Sequence, residues 1–513
     1  MERLRLGGFI RRPTKDEIRS LAAMEYMHLT DQDASDLEVL IDNSLSLIDR
    51  LDDLPVSPPK IRYKERDSGY RPSPEEDPYN VFIRKCLVKG APRGKMAGKK
   101  VGVKDGMHVA GVPTTCGSRL LAGYIPDIDA VVVERLLDAG ATIVGKLNMD
   151  DSGMAGTGET SAFGVIRNPR NPEYSAGGSS GGSGAAVAAG EVDIALGIDG
   201  GGSGRIPAAW CGVVAMKATH GLVPIFGCVH ALDHTTEFVC PTAKTVEEVA
   251  LTLEVIAGDD PRDPQWVRGP IKVDKYTKAL REDVSGIRLG VIKESMDWDV
   301  SEEDVNEAVR RAVNKLESMG ASTTEVSFPL WKYAWSIWSS IVSQSASVMV
   351  ESNLQGYGRG GLCDLNWQDA FGKARRAGSD GFPPLLKMLM VLGKYLRREY
   401  DSTYYSKAQN QRFNMTRQAD RLLEKVDVLV TPTTPMKAIK LLNKRISLRE
   451  MATRATSMSQ NVGATNITGH PSLTIPCGVG ENGLPIGLQL IGRRFEESLL
   501  FRVAYTLEQN YTE

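Results

Sequence analysis

Residues 175–207 open with Ser175-Ala-Gly-Gly-Ser-Ser-Gly-Gly-Ser-Gly184, pass through an Ala/Val segment, and close with Gly197-Ile-Asp-Gly-Gly-Gly-Ser-Gly-Arg-Ile-Pro207. Two Gly/Ser turns bracket one small-residue helix. Glycine allows positive φ and close backbone approach, so successive N–H groups can converge on one point and hold an anion. Gly200, Gly201 and Gly202 run into Ser203 in this way. A hydroxyl inside such a nest is what acyl transfer requires: a nucleophile beside donors that stabilise a tetrahedral oxyanion. Gly/Ser-rich sequence otherwise signifies a flexible linker. Linkers do not carry Ala185 to Ala189 between their halves, or Ile-Pro-Ala-Ala-Trp directly after. No Walker A loop is present, since Gly98-Lys99 and Gly145-Lys146 lack the following Ser or Thr. Gly356, Gly358 and Gly361 satisfy G-x-G-x-x-G, but without the preceding strand that would make it a nucleotide site.

Outward from this stretch, strand patterns alternate with helix patterns. Residues 100–103 read as a buried strand, 130–138 as a helix capped by Gly140, and 141–146 as the next strand. Residues 426–430, 472–475 and 487–491 are further apolar strands. The class is α/β, with a mixed sheet. Near the start, Thr14 and Glu17 make a capping box ahead of Ile18, Leu21 and Ala22. Leu37, Ile41, Ile48 and Leu51 then share one face of a second helix that stops at Pro55. Residues 1–54 are therefore expected as a small helical domain. Residues 55–79, where Pro55, Pro58, Pro59, Pro72, Pro74 and Pro78 mix with charges, are expected as a linker, and 80–513 as the main domain. A helical insertion is expected at about 330–415, where Trp331, Trp335 and Trp338 fall on one helical face. That spacing suits core packing, or the wall of a substrate entrance. No fixed-period repeat occurs.

With Lys+Arg 62 against Asp+Glu 64, the net charge of -2 gives no electrostatic footprint for nucleic acid or an anionic membrane. A small neutral substrate suits this balance. The seven cysteines, Cys86, Cys116, Cys211, Cys228, Cys240, Cys363 and Cys477, never fall at the paired spacings of zinc or redox sites, so reduced thiols, no metal and no cofactor are expected. Without an apolar leader or a run of 18 apolar residues, a cytoplasmic enzyme is the default expectation.

The run from Val101 to Phe226 strongly resembles the amidase signature family: Val103-Lys104-Asp105, Gly177-Gly178-Ser179-Ser180-Gly181, Asp199-Gly200-Gly201-Gly202-Ser203 and Arg205-Ile206-Pro207. The resemblance continues through Asp427–Pro432 and Gly483–Gly492 and covers roughly residues 80 to 513. It implies the amidase signature fold, a large mixed, twisted β-sheet flanked by helices, and hydrolysis of a carboxamide to a carboxylate and ammonia or an amine through an acyl-enzyme. Position by position, Ser203 matches the nucleophile, Ser179 the bridging serine after a cis peptide from Gly178, and Lys104 the base. The backbone of Gly200, Gly201 and Gly202 matches the oxyanion hole, and Asp199, Arg205 and Ser180 match positions that support the loop. A free lysine, with a pKa of about 10.4, is neutral in only roughly one molecule in 2,500 at pH 7, so burial has to favour the amine. The N-terminal helical unit is similar to that of stand-alone amidases of nitrile-degrading systems, which implies a homodimer. Gly200, Gly204, Ala218 and Cys240 depart from the family pattern, and the first and second of these flank the nucleophile.

Three other assignments compete. Gly177-Gly178-Ser179-Ser180-Gly181 satisfies the G-x-S-x-G nucleophile elbow, which would need His230, His234 or His470 and a preceding buried strand, and residues 170–174 do not read as one. Within the family, the chain could be the amidase component of a tRNA-dependent amidotransferase, working inside a hetero-oligomer; such components read Arg-Gln-Pro where this chain has Arg205-Ile206-Pro207. A catalytically inactive binding protein is the third, and the intact set of three catalytic residue types argues against it.

Overall fold

The computed structural model describes residues 10–54, 58–229, 232–265, 271–358, 360–442 and 446–510. It comprises two units, Met1–Lys60 and Ile61–Glu513. In the first, α1 (Lys15–Met24) and α2 (Asp31–Asp49) each start in a capping box, Thr14 with Glu17 and Thr30 with Asp33. Each box satisfies donors that a helix start leaves unpaired. Ile18, Ala22 and Ala34 are the buried residues of these helices.

The second unit contains β1 (Arg66–Tyr70), β2 (Phe82–Lys89), β3 (Lys100–Lys104), β4 (Thr142–Leu147), β5 (Arg167–Asn168), β6 (Asn171–Ser175) and β7 (Ile194–Asp199). These are followed by β8 (Val214–Lys217), β9 (Phe238–Ala243), β10 (Arg288–Ile292), β11 (Ser322–Val326), β12 (Val428–Pro432), β13 (Ser472–Val479) and β14 (Pro485–Ile491). Twelve of them form one sheet in the order β1-β2-β4-β3-β7-β9-β8-β13-β14-β12-β10-β11. β3 is parallel to β4 and β7, and β10 to β11 and β12, whereas the remaining pairs are antiparallel. The mixed sheet expected from the sequence is present.

The helices around it are α3 (Val131–Asp138), α4 (Gly181–Ala189), α5 (Arg205–Cys211), α6 (Val246–Ile256) and α7 (Glu303–Ser318). They continue as α8 (Ala334–Glu351), α9 (Leu365–Gly378), α10 (Pro384–Tyr400), α11 (Thr403–Lys425), α12 (Leu448–Arg454), α13 (Gly463–Thr468) and α14 (Glu497–Asn510). Strand alternation sets the two faces of the sheet. Ile194, Leu196 and Ile198 of β7 join a core with α3, α6, α7 and α14, whereas Ala195 joins the opposite core with α4 and α5. Ala185, Ala186 and Ala208 on that second side are small, so the helices lie close to the strands.

Two expectations change. Residues 66–70 lie inside the stretch expected as a linker, yet they form β1, the sheet edge, paired antiparallel with β2. A bidentate ion pair from Arg66 to the buried Asp129 holds the strand there. The helical layer expected to end near 415 continues to Lys425, because Ala408, Met415, Ala419 and Leu423 keep a helical spacing into the core. Trp331 and Trp338 are buried in that layer's core, with Trp335 packed against it.

Candidate active site

Parallel β3 and β7 bring their C-terminal ends to one edge of the sheet, where open α/β sheets place ligands. Lys104 ends β3, and Asp199 ends β7, from which residues 200–204 turn into α5. The chain leaving β6 passes Gly178 and Ser179, joined by a cis peptide bond, into α4. The turn after Asp199 needs glycine at Gly202: its φ is +112°, and an added Cβ would stand 2.1 Å from Val462 Cγ2.

Lys104 Nζ lies 2.7 Å from Ser179 Oγ and donates to the Ile198 carbonyl at 3.3 Å. Lys104 and Ser179 are almost fully buried, and no carboxylate lies within ion-pair distance of Lys104 among the described residues. Burial pushes the Lys104 ammonium down to about 8, against the pull of Asp150, Asp199 and Glu237. The Ser180 N–H donates to the Ser203 carbonyl at 3.0 Å, and its hydroxyl binds the Ile198 carbonyl at 3.0 Å, so both serine loops are tied to the end of β7. Asp150 donates its N–H to the Ser179 carbonyl at 3.1 Å and accepts from Gly158 and Thr160. Ser203 is half-buried and faces the same cleft as Lys104 and Ser179.

Asp199 organises the glycine turn from beneath. Its carboxylate accepts from the N–H of Gly202 at 2.8 Å, from Gly204 at 3.2 Å and from Arg205 Nε at 2.9 Å. Burial alone would raise this carboxyl, but the Arg205 guanidinium reverses the effect and holds it well below the usual carboxylate range. Arg205 also donates to Thr465, Asn466 and Gln489. Of the three glycines expected as oxyanion donors, Gly202 is therefore corrected: its N–H is committed to Asp199. Among the described residues, no hydrogen bond leaves the N–H of Gly200, Gly201 or Ser203.

The cleft in front of these groups encloses about 610 Å³, its open mouth included. Its wall is mainly apolar, with Cys116, Leu121, Met149, Leu232, Val350 and Trp367 among the lining residues. Lys104 and Glu237 are the charged residues on it among those described, and none of its described lining residues is histidine. None of Trp331, Trp335 and Trp338 lines it, so the core alternative holds for that stripe. Nor do the described residues contain a group of His, Cys, Asp and Glu suited to a metal ion.

The departures from the family pattern acquire contacts. A Cβ on Gly204 would stand 2.4 Å from Cys240 Sγ, so the Cys240 side chain occupies the space a side chain at 204 would need. A Cβ on Gly200 would meet Leu232 Cδ1 at 2.8 Å, so Leu232 occupies that space. Ala218 is buried beside Lys217, and the structure gives no reason for its identity. Residues 171–175 form a strand, β6, but it is mostly exposed and pairs with β5 and, through a bridge at Tyr174, with Lys440, outside the main sheet, and so does not supply the buried strand of an elbow. His470 faces Asp420, the His234 carbonyl accepts from His220, and His230 lies outside the described residues.

Sequence reasoning did not single out Asp150, Glu237, Asn466 or the contact of Trp338 with the glycine turn. Asn466 donates to the Asp199 carboxylate across 267 residues, a pairing without any local pattern. Gln489 lies within a recognised motif that assigned it no role.

The family model described as Amidase matches residues 83–501. The A-subunit of the glutamyl-tRNA(Gln) amidotransferase of Haloarcula marismortui is 41% identical, over 84% of this chain and 99% of that protein. Among solved structures, the corresponding A-subunit of the glutamyl-tRNA(Gln) amidotransferase of Thermotoga maritima superposes with a TM-score of 0.70 at 34% identity, covering 85% of this chain and 89% of that one. The native peptide amidase of Stenotrophomonas maltophilia gives a TM-score of 0.67 at 28% identity, covering 81% and 83%.

Proposed function

This chain belongs to the amidase family, whose members act on carbon–nitrogen bonds in amides, and on that premise we propose that it cleaves a carboxamide with Ser203 as nucleophile, Ser179 as relay and neutral Lys104 as base. The observation that carries this is the buried Lys104 amine 2.7 Å from Ser179 Oγ, with no carboxylate at ion-pair distance among the described residues. Ser203 Oγ attacks the amide carbon while its proton passes to Ser179, whose own proton passes to Lys104 Nζ. The N–H groups of Gly200, Gly201 and Ser203 face the developing oxyanion. Collapse of the intermediate returns a proton through the same relay to the leaving nitrogen, and water then releases the acid from Ser203. Asp199, Arg205 and Ser180 hold the loops in register.

The cleft supports an apolar acyl group. An amide carrying a free carboxylate would meet Glu237 and apolar side chains, with no basic side chain on the described wall besides the neutral amine of Lys104. The more similar of the relatives support a second reading more than they support a lone hydrolase: those at 41% and 34% identity are A-subunits of glutamyl-tRNA(Gln) amidotransferases, so this chain would work within an assembly of different chains and not as the expected homodimer. No helix among the described residues is long and apolar enough to cross a membrane.

A panel of phenylacetamide, butyramide and glutamine, read by ammonia release, separates these readings. Phenylacetamide turned over fastest, with Ser203→Ala inactive, supports hydrolysis of apolar amides. Glutamine turned over fastest favours the amidotransferase reading. Ser203→Ala retaining activity within tenfold of wild type removes the nucleophile assignment from both.

A further inference from the structure

The N-terminal half of α8 packs against the glycine turn. Trp338 Nε1 donates to the Gly200 carbonyl at 2.7 Å, between residues 138 positions apart. The indole is buried, and it lies so close to the turn that a Cβ on Gly201 would stand 3.1 Å from its ring. Trp335 stacks on it at 4.4 Å between ring centroids and 12° between planes, and in turn packs against Gly463, next to the Val462 that crowds Gly202. Farther along α8, Ser345 donates to the carbonyl of Leu232, the residue that fills the space in front of Gly200. One helix of the insertion therefore grips the turn at a backbone carbonyl and supports its neighbour as well.

The direction of that carbonyl matters chemically. The peptide linking Gly200 to Gly201 is trans, since Gly178–Ser179 is the cis bond found among the described residues. In a planar trans peptide, C=O and N–H point in opposite directions, so drawing the Gly200 oxygen toward α8 turns the Gly201 N–H away from it. That N–H has no protein partner among the described residues, and glycine on both sides of the peptide leaves little else to stop the plane from flipping.

We propose that Trp338 is a positioning residue for hydrolysis: its indole N–H fixes the Gly200–Gly201 peptide so that the Gly201 N–H faces the cleft as an oxyanion donor. This rests on Ser203 being the nucleophile. The indole does not line the cleft. Its effect lies in the transition state, where the oxyanion forms, and not in ground-state binding.

The test uses the full-length protein and whichever of phenylacetamide, butyramide and glutamine it turns over fastest. Trp338→Phe keeps an aromatic ring in the stack and removes the N–H. The expected result is a fall in kcat of about 10- to 100-fold with KM within threefold, since deleting an oxyanion donor outright costs about 10²–10³ in kcat and misaligning one costs less. Affinity for the corresponding trifluoromethyl ketone, which forms a tetrahedral adduct, falls in parallel with kcat. Trp338→His, which keeps a ring N–H, recovers part of both; should Trp338→Phe not fold, the kcat and KM of Trp338→His against Trp335→Phe decide by the same criteria. A merely structural role would instead lower the fraction of active protein, leaving kcat per titrated site and ketone affinity unchanged. That result, or kcat of Trp338→Phe within threefold of wild type, overturns the proposal. Ser203→Ala in the same assay keeps the two questions apart: if it remains active the nucleophile is wrong, and if it is inactive while Trp338→Phe is normal, only the role of Trp338 falls.

Discussion

Lys104 ends β3, and Lys146 lies near the end of the neighbouring parallel strand β4; both are buried, at 2% and 0% exposure. Their surroundings differ. Lys104 meets the Ser179 hydroxyl and a carbonyl, whereas Lys146 meets the Asp105 carboxylate at 3.0 Å and the Thr114 hydroxyl at 2.7 Å. The carboxylate that serves Lys146 belongs to the residue directly after Lys104. Strand alternation explains this: Lys146 is in register with Val103, so the side chains of Val103, Asp105 and Lys146 share one face while Lys104 points to the other. Equal burial of one residue type thus yields a paired cation on one face and a depressed amine on the other. The partner across the sheet, and not the neighbour in sequence, decides which is which.

The comparison breaks first at Lys104. Lys104→Arg keeps a cation that cannot be deprotonated, so kcat/KM is expected to fall about 10³-fold or more, with the circular dichroism spectrum unchanged. Near-normal turnover would show that the amine is not the base.

Lys146→Met tests the other face, through stability. Removing one member of a buried pair leaves Asp105 charged without its partner, and about 3–5 kcal/mol is expected to be lost in urea unfolding. Adding Asp105→Asn should restore part of it, whereas additive losses would show that the two residues do not act as a pair.

The pH dependence sharpens the contrast with a smaller effect. With neutral Lys104 as the proposed base, kcat/KM should rise with pH through about 8 and level off above it. The folded chain releases this proton near 8 and the unfolded chain near about 10.4, so between those values the unfolded state binds more protons and stability rises with pH. Lys104→Met should lose that rise, whereas Lys146→Met should leave the activity midpoint within about half a pH unit of wild type. A midpoint that moves with Lys146 would assign the titration to the wrong lysine.

Much of the site is legible in the sequence because its parts are local. Gly200 to Ser203 read as a nest, and Lys104 stands at the end of an apolar strand inside a recognised motif. What stays hidden is the use made of each donor. Gly202 looks like its neighbours in sequence, but the folded turn places its N–H on Asp199. Residues 66–70 read as linker because prolines and charges surround them, while the ion pair that makes them an edge strand lies 63 residues away at Asp129.

By itself the sequence determined what depends on a few consecutive residues: the capping box of α1, the apolar strand at residues 100–103, the glycine turns, and the residue types that can carry acyl transfer. Backbone dihedral preferences and side-chain periodicity act over that range, so they can be read without knowing the rest of the chain. Only the tertiary structure decided which groups meet. Lys104 and Ser179 are 75 residues apart, Gly200 and Trp338 are 138 apart, and no local pattern encodes either contact. The charge of a buried lysine, and the aim of a glycine N–H, follow from those distant partners because burial withdraws water and leaves each polar group dependent on whatever the fold places against it.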